Sequence, residues 1–208
     1  MALATYYECD GITLYNGDPV DVLPQLAANS FRLAFMQRPD GDDDDLDWIP
    51  DFRSRILEDQ ISWIGTVTED LFRVLRPDSM CLIFDGWCGE HAHLKSWRKV
   101  GDVLLAGLVI AKLSSSNLDN VDPDGSRLPP YAIDWYDHYS PGDDDRAAEF
   151  AGYISRYSTT SDCILDPICG NADVLIAAKI AGRRAVGVES RPWCCEEAVK
   201  RLSVFRAT

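Results

Sequence analysis

A strand, a glycine turn and a helix start follow one another between Ile164 and Asp173, and a carboxylate, Glu189, ends the next apolar strand. Ligands of open parallel sheets bind outside the carboxyl ends of the strands, where the backbone N–H groups of a helix start face outward. A carboxylate at the tip of the second strand can accept two hydrogen bonds from a ribose diol. This pattern favours a ribose-containing cofactor. The alternative is that Gly170 only makes a turn and Glu189 is a solvated strand end.

A metal centre and a hydrolytic serine are less consistent with the sequence. Four side chains could bind zinc, but they lack CxxC-type spacing and the first of them lies in an apolar strand: Cys81, Cys88, His91 and His93. The serine run at 114–116 has no histidine near it and is interpreted as a loop. We therefore predict no metal site and no serine nucleophile.

The periodicity of apolar residues predicts the elements that position this site. Short apolar runs of strand length occur at 12–15, 31–36, 80–85, 108–112, 132–139, 164–166 and 185–188. Helical patterns occur at 19–28, with Asp18 as N-cap, and at 52–75, 89–105, 145–157, 173–181 and 192–204. Strands alternating with helices predict a Rossmann-like α/β fold, a mostly parallel seven-stranded sheet with helices on both faces. The pair 108–112 and 132–139 lacks a helix between its strands and is predicted to be antiparallel.

The length, composition and net charge of the chain restrict the classes of protein to which it can belong. The chain has 208 residues, enough for one domain, and its 46% hydrophobic content excludes wholesale disorder. It has no apolar run of membrane-spanning length and no signal pattern, so we expect a soluble, cytoplasmic protein without membrane contact. A net charge of −14 disfavours unaided binding to DNA. Two acidic runs, 40–47 and 143–145, contribute to this charge and are expected to be solvated loops.

Four segments resemble the N6-adenine and N4-cytosine DNA methyltransferases. Residues 164–202, ILDPICGNADVLIAAKIAGRRAVGVESRPWCCEEAVKRL, are similar to that family's cofactor-binding segment. Residues 14–35, the helix end at 72–77, and His138 with Pro141 match three further landmarks. The segment expected to carry catalysis precedes the cofactor segment, an order found in the circularly permuted part of the family.

The resemblance implies S-adenosylmethionine as the cofactor and DNA as a possible partner. It places seven residues around the cofactor, with the first near the adenine: Asp18, Asp166, Pro167, Cys169, Gly170, Asn171 and Glu189. It places the catalytic tetrapeptide at Gln37, Arg38, Pro39 and Asp40. We expect one domain over 1–208, because the chain has no length for a separate target-recognition domain.

Two motifs depart from the family pattern. The family's Asp/Asn/Ser-Pro-Pro-Tyr/Phe is Gln37-Arg38-Pro39-Asp40 here, so the amide oxygen lies one methylene further out and a carboxylate replaces the aromatic that stacks on a flipped base. The family's Gly-Ser-Gly-Thr is Gly170-Asn171-Ala172-Asp173. Ala172 adds a Cβ where the backbone is expected to need positive φ or a close approach. Asp173 is expected to cap the next helix and to occupy donors that would otherwise hold the cofactor's methionine carboxylate.

These departures leave three functions open. The first is a DNA amino-methyltransferase of the kind found in restriction-modification systems. The second is a catalytically silent relative that acts as a regulatory or assembly subunit or as a decoy, with a protein partner or as a homodimer. The third is a methyltransferase for a small or cationic substrate, which an acidic pocket would suit.

Overall fold

The computed structural model describes residues 3–37, 57–84, 103–106, 109–112 and 146–205. These residues form an α/β fold around one eight-stranded sheet. The strands span Tyr7–Cys9 (β1), Ile12–Asn16 (β2), Phe31–Gln37 (β3), Leu75–Phe84 (β4), Val103–Ala106 (β5), Val109–Lys112 (β6), Cys163–Asp166 (β7) and Arg184–Glu189 (β8). Their order across the sheet is β1-β2-β8-β7-β3-β4-β6-β5.

The five central strands, from β2 to β4 in this order, run parallel to one another. At one edge β1 pairs antiparallel with β2, and at the other the β5–β6 hairpin pairs antiparallel with β4. The apolar run at 33–36 suits a central strand, because helices cover both faces of a parallel sheet. The predicted Rossmann-like, mostly parallel fold is therefore confirmed.

Two groups of helices cover the two faces of the sheet. The helices span Pro19–Val22 (α1), Leu57–Val74 (α2), Arg146–Tyr157 (α3), Asp173–Ile180 (α4) and Pro192–Val204 (α5), with a 3-10 turn at Leu23–Gln25. Leu33 of β3 lies in the core beneath α3, α4 and α5, whereas its neighbour Ala34 lies in the core beneath α2. This alternation is the period of two expected for a strand buried on both faces. No helix among the described residues is long and apolar enough to cross a membrane.

The elements that flank the candidate site match their predicted ranges to within one or two residues. This holds for β2, β3, β7, β8, α3, α4 and α5. Asp18 is the N-cap of α1, as predicted, because its Oδ1 accepts a hydrogen bond of 3.0 Å from the Val20 N–H. Cys81 is fully buried in β4, which confirms that this zinc candidate is a core residue.

The first helix is shorter than its predicted range of 19–28. The α-helix ends at Val22 and continues only as the 3-10 turn Leu23–Gln25. Pro24 lies within that turn, and a proline has no N–H for the next α-helical hydrogen bond. The second predicted helix is described over Leu57–Val74, and it passes directly into β4.

The two sheet edges differ from prediction. Residues 103–105, predicted to end a helix, lie in strand β5, whose hairpin with β6 supplies the antiparallel pair at that edge. The predicted strand 132–139 lies outside the described residues. At the opposite edge, β1 is a second strand that was not predicted. Asp10 and Gly11, with φ of 51° and 79°, form the two-residue turn that joins it to β2.

Candidate cofactor-binding site

The candidate site lies where four neighbouring parallel strands end. These strands, β2, β8, β7 and β3, end at Asn16, Glu189, Asp166 and Gln37 respectively. The chain leaves β7 through α4 on one face of the sheet and leaves β3 through α2 on the other. Open α/β sheets bind their ligands at such a switch point, in the crevice outside the strand ends. The fold thus brings the cofactor residues predicted from sequence to the side of the sheet where the parallel strands end.

Asp166 is a fully buried carboxyl group at the end of β7. Its Oδ1 accepts a hydrogen bond of 3.1 Å from the Ile168 N–H, while its Oδ2 has no partner within the described part of the chain. Burial raises the pKa of Asp166 from 3.8 to about 8, and the charges of Glu189 and Asp173 act in the same direction. The group is therefore largely protonated at neutral pH, and one of its buried oxygens has no partner among the residues that the structure describes.

The turn after Asp166 closes against β8. The Cys169 N–H donates to the Val188 carbonyl over 2.9 Å, and Pro167 and Cys169 are both buried. Gly187 makes this approach possible, because a Cβ there would lie 2.8 Å from the Cys169 Sγ. The glycine at position 187 is thus required by packing between the turn and β8.

Gly170 and Ala172 both adopt left-handed backbone conformations, with φ of 49° and 72°. The positive φ predicted as one alternative for the position of Ala172 is therefore confirmed. An alanine in this region carries a steric cost of about 1–2 kcal/mol, which a glycine would avoid. Asn171, between them, is exposed, and its carbonyl accepts a hydrogen bond of 2.7 Å from Arg201 Nη1.

Glu189 is 1% exposed, so it is not a solvated strand end. Its Oε2 accepts a hydrogen bond of 2.9 Å from the Gly170 N–H, which ties the end of β8 to the turn after β7. The backbone N–H and the Nε of Arg191 both donate to Oε1 over 2.8 Å, and Arg191 Nη2 donates to Oε2 over 3.2 Å. The two carboxylate oxygens thus receive four donors from the protein itself.

Asp18 follows the end of β2, the strand that pairs with β8. The N–H of Gly17 donates to the Glu189 carbonyl over 3.0 Å, and the Asn16 amide nitrogen donates to the same carbonyl over 2.8 Å. Asp18 Oδ1 accepts hydrogen bonds from Val20 and, over 3.2 Å, from Trp63 Nε1 of α2. The structure therefore joins the end of β2, which Asp18 follows, to the end of β8 at Glu189, although the two are far apart in sequence.

Asp173 is the acidic residue in the first turn of α4, which agrees with the predicted electrostatic capping of this helix. Its Oδ1 lies 2.6 Å from Arg201 Nη2, so its carboxylate forms an ion pair with α5. It is the first residue of α4, and the N-cap residue, Ala172, makes no side-chain capping hydrogen bond. The same carboxylate thus also connects the start of α4 to α5.

Gln37 is the last residue of β3, which places the start of the predicted tetrapeptide one strand away from Asp166. The other three residues, Arg38, Pro39 and Asp40, lie outside the described residues.

Two arginines that the sequence reasoning did not select contact the site. Arg191 pairs with Glu189, and Arg201 contacts Asn171 and Asp173. Arg201 belongs to an Ala-x-x-Arg-Leu sequence at residues 198–202, at the end of the segment that resembles the family's cofactor-binding segment. That position could have indicated a contact with the site. Arg191, two residues after Glu189, had no comparable signal. The described residues contain no cluster of three or more metal-ligating side chains, while Cys88, His91 and His93 lie outside them.

A known protein is similar to this chain in sequence. The sequence is 22% identical over 144 residues to YubD of Escherichia coli (strain K12), a protein provisionally described as a methylase. The match covers 61% of this chain, and the chain spans about 63% of the length of that relative. No protein-family profile matches the sequence.

Two solved structures share the fold over 92% of this chain. One is a provisionally assigned DNA modification methylase of Thermus thermophilus, complexed with S-adenosyl-L-methionine, with a TM-score of 0.62, 22% identity and 93% of its own chain covered. The other is the cytosine-N4-specific PvuII DNA methyltransferase, with a TM-score of 0.57, 12% identity and 86% of its chain covered. The chain therefore has the fold of the DNA modification methyltransferases, the family that its sequence resembles.

Proposed function

We propose that this chain binds S-adenosylmethionine in the crevice at the carboxyl ends of β7 and β8, as a methyltransferase of the DNA amino-methyltransferase type. The observation that carries the proposal is the hydrogen bond of 2.9 Å from the Gly170 N–H to the buried Glu189 carboxylate. It joins the glycine turn and the strand-end acid in one site, as a ribose-binding crevice requires. The Thermus thermophilus relative, complexed with this cofactor, supports the choice of ligand.

The residues at the carboxyl ends of β2, β7 and β8 suit such a cofactor. Glu189 would accept the ribose hydroxyls, and Asp18, tied to the same strand end through Gly17, would lie near the adenine. Asp166 offers a buried oxygen that lacks a partner among the described residues, and buried polar groups are rarely left unpaired in native proteins. Pro167, Cys169 and Asn171 would complete the turn beneath the cofactor. When bound, S-adenosylmethionine supplies an electrophilic methyl group.

We propose an exocyclic amine of a DNA base as the methyl acceptor. Gln37 would accept a hydrogen bond from that amine. It lies at the end of β3, the strand next to β7, and the turn that follows β7 at residues 167–172 is called the cofactor turn below. Pro39 would contribute a backbone carbonyl there. The net charge of −14 opposes DNA binding by the isolated chain, so a basic protein partner or a cation would have to cover the acidic run at 40–47.

A catalytically silent relative is the second candidate. It is favoured by the sequence at the tetrapeptide, where Asp40 replaces a stacking aromatic and Gln37 replaces a shorter side chain. It is also favoured by the internal pairing of Glu189 with Arg191, which satisfies the carboxylate without any ligand. A silent relative would keep the fold and the protein contacts but would transfer no methyl group.

Methyl transfer from radiolabelled S-adenosylmethionine distinguishes these candidates. The acceptor should be DNA from a strain that lacks N6-methyladenine and N4-methylcytosine, offered to the wild type, to Gln37→Ala and to the control Arg184→Met. Label in DNA that disappears only in Gln37→Ala supports the amino-methyltransferase. Cofactor binding without label in DNA supports the silent relative. Formation of S-adenosylhomocysteine without DNA indicates a small substrate.

A further inference from the structure

The Glu189 carboxylate already has a full set of hydrogen-bond donors. An ionised carboxylate offers about four acceptor positions on its two oxygens. Here Oε1 receives the backbone N–H and the Nε of Arg191, and Oε2 receives the Gly170 N–H and Arg191 Nη2. A ribose diol brings two further donors, so at least two of the existing ones must leave before it can bind.

The four donors differ in how easily they can leave. The N–H groups of Gly170 and Arg191 belong to the backbone of the cofactor turn and of the start of α5, and moving them would disrupt both elements. Nε and Nη2 belong to the Arg191 side chain, which rotamer changes alone can withdraw. The two donors that a diol can displace are therefore the two on the guanidinium.

We propose that Arg191 is a specificity-determining residue of the cofactor site, because its guanidinium occupies the two acceptor positions that the ribose diol requires. This inference rests on the proposed function, since it concerns the same carboxylate. Arg191 lowers the affinity for a ligand with two ribose hydroxyls, because those hydroxyls must displace the guanidinium before they can donate to Glu189. A ligand without the diol gains nothing at Glu189, because the carboxylate stays paired with the guanidinium.

The burial of the pair makes this competition strong. The side chain of Glu189 is 1% exposed and that of Arg191 is 10% exposed, so water offers little replacement for either partner. Hydrogen bonds to charged groups are stronger than neutral ones, and a carboxylate left buried and unpaired is costly. Without the guanidinium, the diol would bind a carboxylate that lacks two of its donors.

Arg191→Met tests the proposal, because it keeps an apolar stem and removes the guanidinium. Arg184→Met is the matched control: it is the same substitution at the first residue of β8, the end of that strand away from Glu189, where Nη2 donates to the Ser161 carbonyl over 3.0 Å. Arg191→Lys is a second variant in case Arg191→Met folds poorly, since one ammonium cannot pair with two carboxylate oxygens in parallel. Far-UV circular dichroism verifies folding in each variant.

Two ligands that differ in the ribose diol measure how much the diol contributes to binding. Adenosine and 2′,3′-dideoxyadenosine are titrated into the 15N-labelled proteins by NMR, and S-adenosylmethionine is titrated by calorimetry. We expect Arg191→Met to bind S-adenosylmethionine and adenosine about tenfold more tightly than the wild type. We expect Arg191→Lys to fall between them, Arg184→Met to match the wild type, and dideoxyadenosine to show no gain.

The outcomes separate this inference from the proposed function. Tighter binding confined to ligands with a diol supports the role of Arg191. Equal or weaker binding by Arg191→Met and Arg191→Lys, while the wild type binds, overturns the role of Arg191 and leaves the proposed function standing. An equal gain for dideoxyadenosine also overturns it. No binding of S-adenosylmethionine or adenosine by any of the proteins overturns the proposed function itself.

Discussion

Arg201 of the last helix forms an ion pair with Asp173, the first residue of α4, over 2.6 Å. Its other terminal nitrogen donates to the Asn171 carbonyl over 2.7 Å. The two contacts flank Ala172, whose φ of 72° is unfavourable for alanine. Arg201 therefore holds the cofactor turn from both sides of its most strained residue, and it connects the C-terminal helix to the candidate site.

Removing this arginine should loosen the turn. We expect Arg201→Ala to lower the free energy of unfolding by about 1–2 kcal/mol, because it deletes two charge-assisted hydrogen bonds. Amide exchange should accelerate at residues 169–173 in hydrogen–deuterium exchange. The matched control is Lys200→Ala, which removes the neighbouring exposed pair with Glu197. Exchange in the turn that is the same in both variants would refute this positioning role.

Position 172 should accommodate glycine better than the native alanine. The left-handed cost of about 1–2 kcal/mol disappears in Ala172→Gly, while the greater flexibility of the unfolded glycine returns roughly 0.5–1 kcal/mol. We expect a net stabilisation of roughly 0–1.5 kcal/mol in urea unfolding. The control Ala148→Gly, at an exposed position inside α3, should instead destabilise. Destabilisation of similar size by both variants would contradict the assigned backbone conformation.

Gly187 should not accept a side chain. A Cβ there would lie 2.7 Å from Leu175 Cδ1 and 2.8 Å from Cys169 Sγ, so Gly187→Ala must displace the turn or α4. We expect a loss of about 1–3 kcal/mol in unfolding free energy. Gly152→Ala is the control, because nothing lies within 4 Å of its Cβ position in α3 and helix propensity favours alanine. A neutral Gly187→Ala would mean that the turn does not pack closely on β8.

Asp166 should make stability depend on pH. Its pKa is about 8 in the folded protein against 3.8 for the free side chain, so between these values only the folded state holds the proton. Stability from this group is complete below pH 3.8 and is lost as pH rises towards 8, at up to about 1.4 kcal/mol per pH unit. Asp166→Asn removes this loss and keeps an oxygen for the Ile168 N–H.

The difference in unfolding free energy between Asp166→Asn and the wild type should therefore grow in favour of the variant from pH 4 to pH 8. Urea titrations across this range measure it, and other titrating groups largely cancel because both proteins carry them. Asp21→Asn, at an exposed position in α1, is the control and should show no such trend. A difference that stays constant with pH would show that Asp166 is ionised in the folded protein.

The sequence predicts the fold well where apolar periodicity is strong. The runs around Leu33 and Ile164 are buried on both faces, so their composition identifies them as central strands. The edges were less predictable, because edge elements carry weaker apolar patterns. Asp10-Gly11 was a readable hairpin signal for β1, and Pro24 was a readable reason for α1 to end early.

The candidate site was predictable in its backbone and not in its side-chain pairing. The order of strands and helices is sufficient to bring Asp166 and Glu189 to the same side of the sheet, because neighbouring parallel strands have their carboxyl ends on that side. The partner of Glu189 depends instead on the rotamer of Arg191 after the turn has closed. The contact between Arg201 and Asp173 likewise requires α5 to be docked beside α4. Such pairings follow from tertiary packing rather than from spacing along the chain.

Calorimetric titration of S-adenosylmethionine into the wild type, Glu189→Ala and Arg184→Met tests the central proposal most directly. We expect a saturable heat for the wild type and for Arg184→Met, and no detectable heat for folded Glu189→Ala at millimolar ligand. The absence of heat from the wild type at millimolar ligand would contradict cofactor binding. Undiminished binding by Glu189→Ala would contradict the assignment of the crevice between β7 and β8 as the site.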